Sequence, residues 1–384
     1  MKNNLLFRKR LIQGTLREGV SPSALVAFVQ AARESGIDPR DGGLALAQQA
    51  QVPYAIAERA IAAWRDDRSY EELLALCEKN QIQIVTLFDE EYPAYLAAIE
   101  NPPPLLYVQG AVALLGRQSI AFVGSRQASA YGYHAVDALV PQLAVQGLVL
   151  VSGGAIGIDT HAHRVALSVG MPTIAVLGSG LLRPYPALNK QLFTDIVAAG
   201  GAIVSPFGLT MPPIAHNFPA RNRVIAGFAT GCVVIQAAAK SGALITATMA
   251  MQQGRTVMAV PGRFDDRLSD GCHALISQGA TLVTSADDVL QALELQPKRS
   301  AQGSSNRPAP TMAPILAVAE QEEYEELPDE VVATLARARR PLGLEEICAI
   351  TNLSWLVAQE RLFLLQLEGA VAQDFAGMWQ LNRS

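Results

Sequence analysis

The sequence predicts an α/β protein whose core is a doubly wound, mostly parallel sheet. From residue 119 the chain repeats short apolar runs, each followed by a Gly- or Ser-containing turn and a helical segment, which is typical of strands covered on both faces. The hydrophobic content of 50% fills a large core, and 30 glycines and 22 prolines supply many short turns. A length of 384 residues favours two or three domains.

The first segment, residues 1–85, is predicted to form a small helical domain. Apolar residues recur at helical spacing over 24–32 and again over 55–64. Ser21-Pro22 and Val52-Pro53 precede these stretches as helix start signals. The pattern indicates helices and says nothing about what they do.

The sheet is predicted within residues 86–290. Its apolar runs are 119–123, 148–151, 173–177, 202–204, 232–235, 257–260 and 281–283. Since ligands of such sheets bind outside the carboxyl ends of the strands, the loops after these runs are the candidate site.

Two further segments follow the sheet. Residues 291–326 contain four prolines and three serines and end in the acidic run 322–326, which predicts a flexible linker. Residues 327–384 are predicted to form three helices and a hairpin, the order found in a winged-helix domain. This unit has five basic and seven acidic side chains, which favours protein interaction or regulation over DNA reading.

Several function classes are excluded or disfavoured by composition. The apolar stretches are too short or too broken for a membrane span, and the N-terminus has no apolar region long enough for a secretory signal, so we expect a cytoplasmic protein. Four widely spaced cysteines predict reduced, buried thiols. His161 and His163 lie two residues apart and would point away from each other on a helix, so a shared metal is not expected. We also expect no cofactor.

Charge is unevenly distributed. The net charge is −5, but residues 119–290 hold ten basic and eight acidic side chains and no glutamate. The predicted sheet is therefore the positive part of the chain, and it offers no obvious pair of carboxylates for acid/base catalysis.

Two loops after predicted strands suit an anion. The first strand ends in Gly124-Ser125-Arg126, and the second leads through 152–159 into a helix. A glycine turn that feeds a helix N-terminus presents backbone N–H groups and the positive end of the helix dipole. By itself this turn is a weak signal, because glycines there also let a helix pack on its strand.

Two basic segments open later helices. Residues 218–223 place two guanidinium groups in a first turn, where cations oppose the helix dipole unless an anion or an acidic partner is present. Lys240 and Ser241 precede another helix, with Ser241 as the expected N-cap. Structural ion pairs with Asp137 or Asp159 are the alternative for the two arginines, and a core position is the alternative for Phe218.

The combination favours a polyanion over a small cofactor. Gly153-Gly154-x-x-Gly157 lacks the dinucleotide spacing, no acidic residue follows Leu177-Gly178, and no Walker loop occurs. Several separated anion sites along one sheet edge suit a single-stranded nucleic acid.

These motifs, taken in order with their spacing, resemble the DprA/Smf family of DNA-processing proteins. The resemblance rests on 124–126, 152–163, 173–178, Tyr185-Pro186, 218–223, 241–246 and 260–262, with a lead-in from Tyr92-Pro93 to Leu106-Tyr107. It implies a Rossmann-like core that binds single-stranded DNA, protects incoming DNA and helps load the RecA recombinase in natural transformation. It also implies a homodimer, no catalysed reaction and a SAM-like N-terminal domain.

The loops and the resemblance together predict one set of DNA-binding residues. The set is Ser125, Arg126, Ser152, Gly153, Gly154, Gly157, Asp159, Phe218, Arg221, Asn222, Arg223, Lys240, Ser241 and Gly242. Leu182, Pro206 and Gln236 stand where the family commonly has an acidic residue, which argues against hydrolysis.

Two other functions remain open from the sequence. One is a nucleotide-binding or nucleotide-cleaving Rossmann protein related to phosphoribohydrolases, although Ser152 precedes the double glycine and no glutamate lies nearby. The other is an adaptor in which the linker and the acidic C-terminal unit are the working parts.

Overall fold

The structure is a computed structural model that describes residues 2–295, 330–338, 340–351, 358, 361–362, 365–366, 370–373 and 378–381. Its contacts divide the chain into two compact units, Met1–Lys298 and Arg299–Ser384. Each unit is described by itself.

Five helices open the larger unit. They are α1 (Lys2–Thr15), α2 (Pro22–Ser35), α3 (Pro39–Gln49), α4 (Tyr54–Ala63) and α5 (Asp67–Lys79). Ser21 caps α2 by accepting a hydrogen bond from the Ala24 amide at 3.3 Å. The rings of Phe28 and Trp64 pack with centroids 4.8 Å apart in a shared apolar core. The predicted helical N-terminus is confirmed.

A nine-stranded sheet forms the body of this unit. Its strands are β1 (Ile82–Thr86), β2 (Leu105–Gly110), β3 (Ser119–Val123), β4 (Val149–Ser152), β5 (Thr173–Val176), β6 (Ala202–Ser205), β7 (Gly231–Val234), β8 (Thr256–Ala259) and β9 (Thr281–Leu282). The order is β1-β2-β6-β5-β4-β3-β7-β8-β9. The strands β3 to β9 are parallel, while β2 is antiparallel to both β1 and β6.

All seven predicted strands are present within one residue at each end, which confirms the doubly wound sheet. The strands β1 and β2 were not predicted. They pair across a connection that contains several prolines and a short helix, so no two-residue turn announces a hairpin.

Helices cover both faces of the sheet. The helices of this region are α6 (Ala94–Ala97), α7 (Ala130–Ala144), α8 (Ile158–Ser168), α9 (Lys190–Ala198), α10 (Asn217–Phe228), α11 (Gly242–Gln252), α12 (Asp270–Ser277) and α13 (Ala286–Ala292). Alternate residues of β3 face opposite apolar layers. Ala121 and Val123 pack with α10 and α11, and Ile120 and Phe122 pack with α7 and α8.

The smaller unit contains α14 (Glu330–Ala338), α15 (Leu344–Thr351) and the antiparallel pair β10 (Val371–Gln373) and β11 (Trp379–Leu381). Val331, Leu335, Ile347 and Trp379 are buried in its core. Most of the predicted third helix, 355–368, and most of the predicted linker lie outside the described residues. The winged-helix assignment stays a prediction.

Helices long and apolar enough to cross a bilayer are absent from the described part of the chain. The four cysteines are free thiols, and three of them are buried. Burial raises the pKa of Cys77 to about 11 and of Cys272 to about 12, so both thiols are neutral at physiological pH.

Candidate functional site

The candidate site lies at the carboxyl edge of the parallel strands, where the strand order reverses between β3 and β7. The amide of Ser125, just after β3, donates to the carbonyl of Gln236, just after β7, at 2.7 Å. The carbonyl of Ser125 in turn accepts from the Ile158 amide at 3.1 Å. The turn 124–126 therefore lies between the glycine loop after β4 and the segment after β7.

The glycine loop is tightly fitted rather than open. Gly157 has φ of +85°, and a Cβ there would lie 2.3 Å from the Ser125 carbonyl oxygen. Gly154 also has positive φ, and its carbonyl accepts from the Asn189 amide nitrogen at 2.8 Å. As predicted, α8 begins directly after this loop at Ile158.

Two amides of the loop are already bonded inside the protein. The carboxylate of Asp159 accepts hydrogen bonds from the amides of Gly153 at 3.1 Å and Ala155 at 3.3 Å. The expectation that the glycine loop offers its amides to a phosphate does not hold for these two groups. Neighbouring Ser152 is also buried and donates to the Phe122 carbonyl at 2.6 Å.

Arg221 is buried beside this loop. Its guanidinium donates to the carbonyls of Gly153 and Val176, the latter at 2.7 Å, and its Nε donates to the side-chain oxygen of Asn222 at 3.0 Å. Burial lowers the pKa of Arg221 to about 10, and the charge of Asp159 opposes that shift. Arg221 thus ties α10 to β5 and the glycine loop through backbone carbonyls.

Asp159 and His163 complete the buried polar cluster on one side of α8. Burial raises the pKa of Asp159, and the charge of Arg221 and the loop amides oppose the rise. Burial lowers the pKa of His163 to about 3, so its ring is neutral, and its Nδ1 lies 2.7 Å from the Thr173 hydroxyl. These buried side chains of α8 support the glycine loop from inside the protein.

Arg223 does not join Arg221. Its guanidinium donates to the carbonyl of Glu100 at 3.0 Å and to that of Asn101, in the segment before β2. α10 begins at Asn217, so the two arginines lie in its second turn and not in the predicted first turn. Residues two apart on a helix point about 200° away from each other, so the two guanidinium groups cannot both face a single anion. The two guanidinium groups therefore bond to different segments, Arg221 to the glycine loop and β5 and Arg223 to the segment before β2.

Phe218, near the start of α10, contacts residues from the loops after β3 and β5. Its ring is half-buried, with the guanidinium carbon of Arg126 5.7 Å and that of Arg221 5.8 Å from the ring centroid. The ring of Tyr185 meets it edge-on at 5.8 Å. The ring also covers Gly178, where a Cβ would lie 3.0 Å from Phe218 Cδ1. Phe218 and Arg126 are thus brought together at the carboxyl edge, as predicted from the loop positions.

Lys240, Ser241 and Gly242 begin α11 on the β7 side of the edge. Lys240 and Gly242 are exposed, and Ser241 caps α11 by accepting from the Ala243 amide at 3.3 Å. The N-cap prediction is confirmed. Lys240 places a solvent-facing cation in the segment that follows Gln236.

Gln236 is a site residue that the sequence interpretation missed. Its side chain accepts from the Ser129 amide at 2.9 Å, donates to the Ser129 hydroxyl at 2.9 Å and approaches Asp266 at 3.4 Å. A carboxylate could not donate to Asp266, so the amide holds the loops after β3, β7 and β8 together. Its position directly after a predicted strand was the available signal.

The two neighbouring histidines point in different directions, as their spacing predicts. His161 pairs with Asp137 at 2.7 Å, while His163 faces the interior. Among the described residues, no group of three or more His, Cys, Asp or Glu side chains is placed to hold a metal ion.

Comparison with known proteins identifies a family that this chain matches. The family described as DNA recombination-mediator protein A matches residues 83–294, which include the whole sheet edge. Protein Smf of Escherichia coli is 41% identical over 227 residues, 59% of this chain and 61% of that protein. The chain therefore matches less than two thirds of the length of this relative.

Two solved structures share the fold. DNA processing protein A from Streptococcus pneumoniae superposes with a TM-score of 0.63 at 35% identity, over 74% of this chain and 97% of that one. DNA processing protein A from Helicobacter pylori, described with a single-stranded DNA binding mode, gives a TM-score of 0.50 at 29% identity, over 56% of this chain and 96% of that one.

Proposed function

This chain belongs to the DNA recombination-mediator protein A family, and we propose on that basis that it binds single-stranded DNA along the carboxyl edge of its sheet. The Helicobacter pylori relative is described with such a binding mode. In this proposal the protein protects incoming DNA and helps load the RecA recombinase during natural transformation.

One observation carries the proposal. Arg126 after β3 and Lys240 after β7 flank the crevice where the strand order reverses, and the Ser125–Gln236 hydrogen bond of 2.7 Å holds their two segments side by side. Arg126 also lies over the Phe218 ring, which pairs a cation with an aromatic face. Cations that follow a backbone and rings that stack on bases are the two parts of a sequence-independent single-strand site.

The predicted residues take different roles in this proposal. Arg126, Lys240 and Phe218 are the groups we propose to touch DNA, while Ser125, Ser152, Gly153, Gly154, Gly157, Asp159, Arg221 and Asn222 shape the edge beneath them. Ser241 and Gly242 fix the start of α11 next to Lys240. Arg223 acts away from the edge.

We propose that the protein acts without catalysing a reaction. The carboxylate nearest the glycine loop, Asp159, is engaged by two amides and lies beside Arg221. Release of a free base from nucleoside monophosphates would contradict this proposal and support the phosphoribohydrolase-like alternative.

The partners are proposals of the same kind. We propose a homodimer as the working state and a regulatory or protein-binding role for the C-terminal unit. Deleting 327–384 tests the second point: DNA binding should be retained while recombinase loading falls.

Titration of fluorescent oligo-dT with the full-length protein tests DNA binding. Arg126→Ala and Lys240→Ala should each weaken binding about tenfold at low salt, because each removes a cation from the phosphate path. The slope of log affinity against log salt should become shallower by about 0.7 for each phosphate of a single strand that the variant no longer neutralises.

Arg68→Ala is the matched control. Arg68 is an exposed arginine of α5 that pairs with Glu72 at 2.8 Å, so its loss should leave oligo-dT affinity unchanged. Affinity and salt slope that stay at the wild-type values in both Arg126→Ala and Lys240→Ala would refute the proposed site. Equal affinity for duplex DNA and oligo-dT would refute the preference for single strands.

A further inference from the structure

The carboxyl edge also carries apolar side chains that the cationic site does not use. Phe264, in the loop after β8, is 91% exposed, and Leu188, after β5, is 83% exposed. Among the described residues these are the two most exposed large apolar side chains, and both lie in segments that follow parallel strands at this edge. Tyr131 and Ile156, about half-exposed, follow β3 and β4 at the same edge.

Phe264 is held at the tip of a well-bonded loop. Its neighbours Arg263 and Asp265 pair across it through two contacts of 2.9 Å. Asp266 accepts from the Leu268 amide at 2.9 Å and from the Ser269 hydroxyl at 3.1 Å. The exposure of the ring is therefore a property of a fixed turn rather than of a loose segment.

The same loop is joined to the proposed DNA site. The Tyr131 hydroxyl, at the start of α7, donates to the carbonyl of Pro261. Gln236, whose carbonyl bonds Ser125, reaches Asp266 with its side chain at 3.4 Å. The Phe264 turn is thus a continuation of the edge that carries Arg126 and Lys240.

The charge of the loop selects the part of a nucleic acid that it can contact. Residues 261–270 contain two arginines and three aspartates, and one of the arginines, Arg263, is paired with Asp265. A loop without excess positive charge gains little from a phosphate backbone. An exposed phenyl ring instead offers a stacking face to an unpaired base.

We propose that Phe264 is a base-stacking residue that extends the single-strand path from β3 and β7 to the end of β8. This inference rests on the proposed function and adds a residue that contacts bases rather than phosphates. From β5 to β8 the edge crosses four strand intervals of about 4.8 Å, about 19 Å in all. At about 3.4 Å per stacked nucleotide, that length accommodates about five or six nucleotides.

The test compares Phe264→Ala with the full-length wild-type protein on an oligo-dT of about a dozen nucleotides and on a fully abasic strand of the same length. Phe264→Ala should lower oligo-dT affinity about tenfold, within the range of single stacking contacts, and leave the salt slope unchanged. The abasic strand should bind both proteins equally. Phe264→Trp should restore oligo-dT affinity and show fluorescence quenching on binding that the wild type lacks.

Tyr54→Ala is the matched control, because Tyr54 is a 60% exposed aromatic of α4. It should bind oligo-dT as the wild type does, and an unchanged thermal midpoint shows that Phe264→Ala folds. Wild-type affinity in Phe264→Ala, or an equal loss on the abasic strand, overturns the stacking role alone. A changed oligomeric state with unchanged DNA affinity assigns the ring to a protein interface and overturns it too. A wild-type protein that binds no oligo-dT overturns both proposals.

Discussion

Replacing Gly157 by alanine should destabilise the larger unit by about 3–7 kcal/mol. The residue has φ of +85° and ψ of −129°, a conformation that costs an alanine about 1–3 kcal/mol. The added Cβ would also lie 2.3 Å from the Ser125 carbonyl oxygen and 2.7 Å from that of Arg126. Both are backbone atoms, so the two loops must separate, at an overpacking cost of about 1–3 kcal/mol.

The separation also weakens a hydrogen bond. The Ile158 amide donates to the Ser125 carbonyl at 3.1 Å, and its loss costs about 1 kcal/mol. The same displacement moves Arg126, so oligo-dT affinity should fall together with stability.

Urea unfolding followed by circular dichroism measures the effect, with Gly170→Ala as the control. Gly170 has φ of +69°, but a Cβ there meets nothing within 4 Å. Its alanine variant therefore loses only the conformational part, about 1 kcal/mol. Equal unfolding midpoints for the two variants would show that the contact between the glycine loop and the Ser125 turn contributes nothing, which would refute this reasoning.

Two further predictions concern pH. His163 stays neutral in the folded protein down to about pH 3, whereas in the unfolded chain it takes up a proton near pH 6.5. Protonation therefore favours the unfolded chain as the pH falls below about 6.5. The free energy of unfolding should fall by about 2 kcal/mol between about pH 6.5 and about pH 5. His163→Gln should lose that dependence in urea titrations at several pH values; an unaltered profile would contradict it. Burial raises the pKa of Asp38, but hydrogen bonds from Arg10 and the Arg40 amide outweigh it and lower the pKa overall. Asp38→Asn should therefore cost about 2 kcal/mol at neutral pH, with the difference from the wild type vanishing as the pH falls below about 4; a pH-independent difference would show that the charge is not responsible.

The sheet was predictable because buried parallel strands are nearly continuous apolar runs. Runs such as 119–123 and 232–235 are flanked by glycine or polar residues, and no surface-facing residue interrupts them. The position of the site followed from the same pattern, since parallel strands place the loops after Val123, Ser152 and Val234 on one edge.

The antiparallel pair at the other side of the sheet was not predictable in this way. In β1, Gln83 is exposed between buried neighbours, and the strand follows α5 directly. Its partner β2 comes after a proline-rich stretch, and the pairing is set by tertiary contact with β6 rather than by a local turn. Propensity carries no information on such a long-range choice.

The different roles of the arginines depend on how deeply each side chain is buried, and the residue type does not reveal its burial. Arg126 and Arg221 both lie near the Phe218 ring, yet Arg221 is only 5% exposed. The opposite directions of Arg221 and Arg223 could have been predicted, because the two-residue spacing that separates His161 from His163 also separates them. Arg221 points inward because the Gly153 and Val176 carbonyls accept its hydrogen bonds, and only folding brings these two carbonyls together.

The bridging side chain of Gln236 has a thermodynamic consequence for any ligand of this edge. The loops after three strands are already hydrogen-bonded to one another before a ligand binds, so the protein loses little further conformational entropy on binding. Complex formation should then resemble docking onto a rigid surface, and its heat-capacity change should reflect covered rings and bases rather than folding of the protein's own segments.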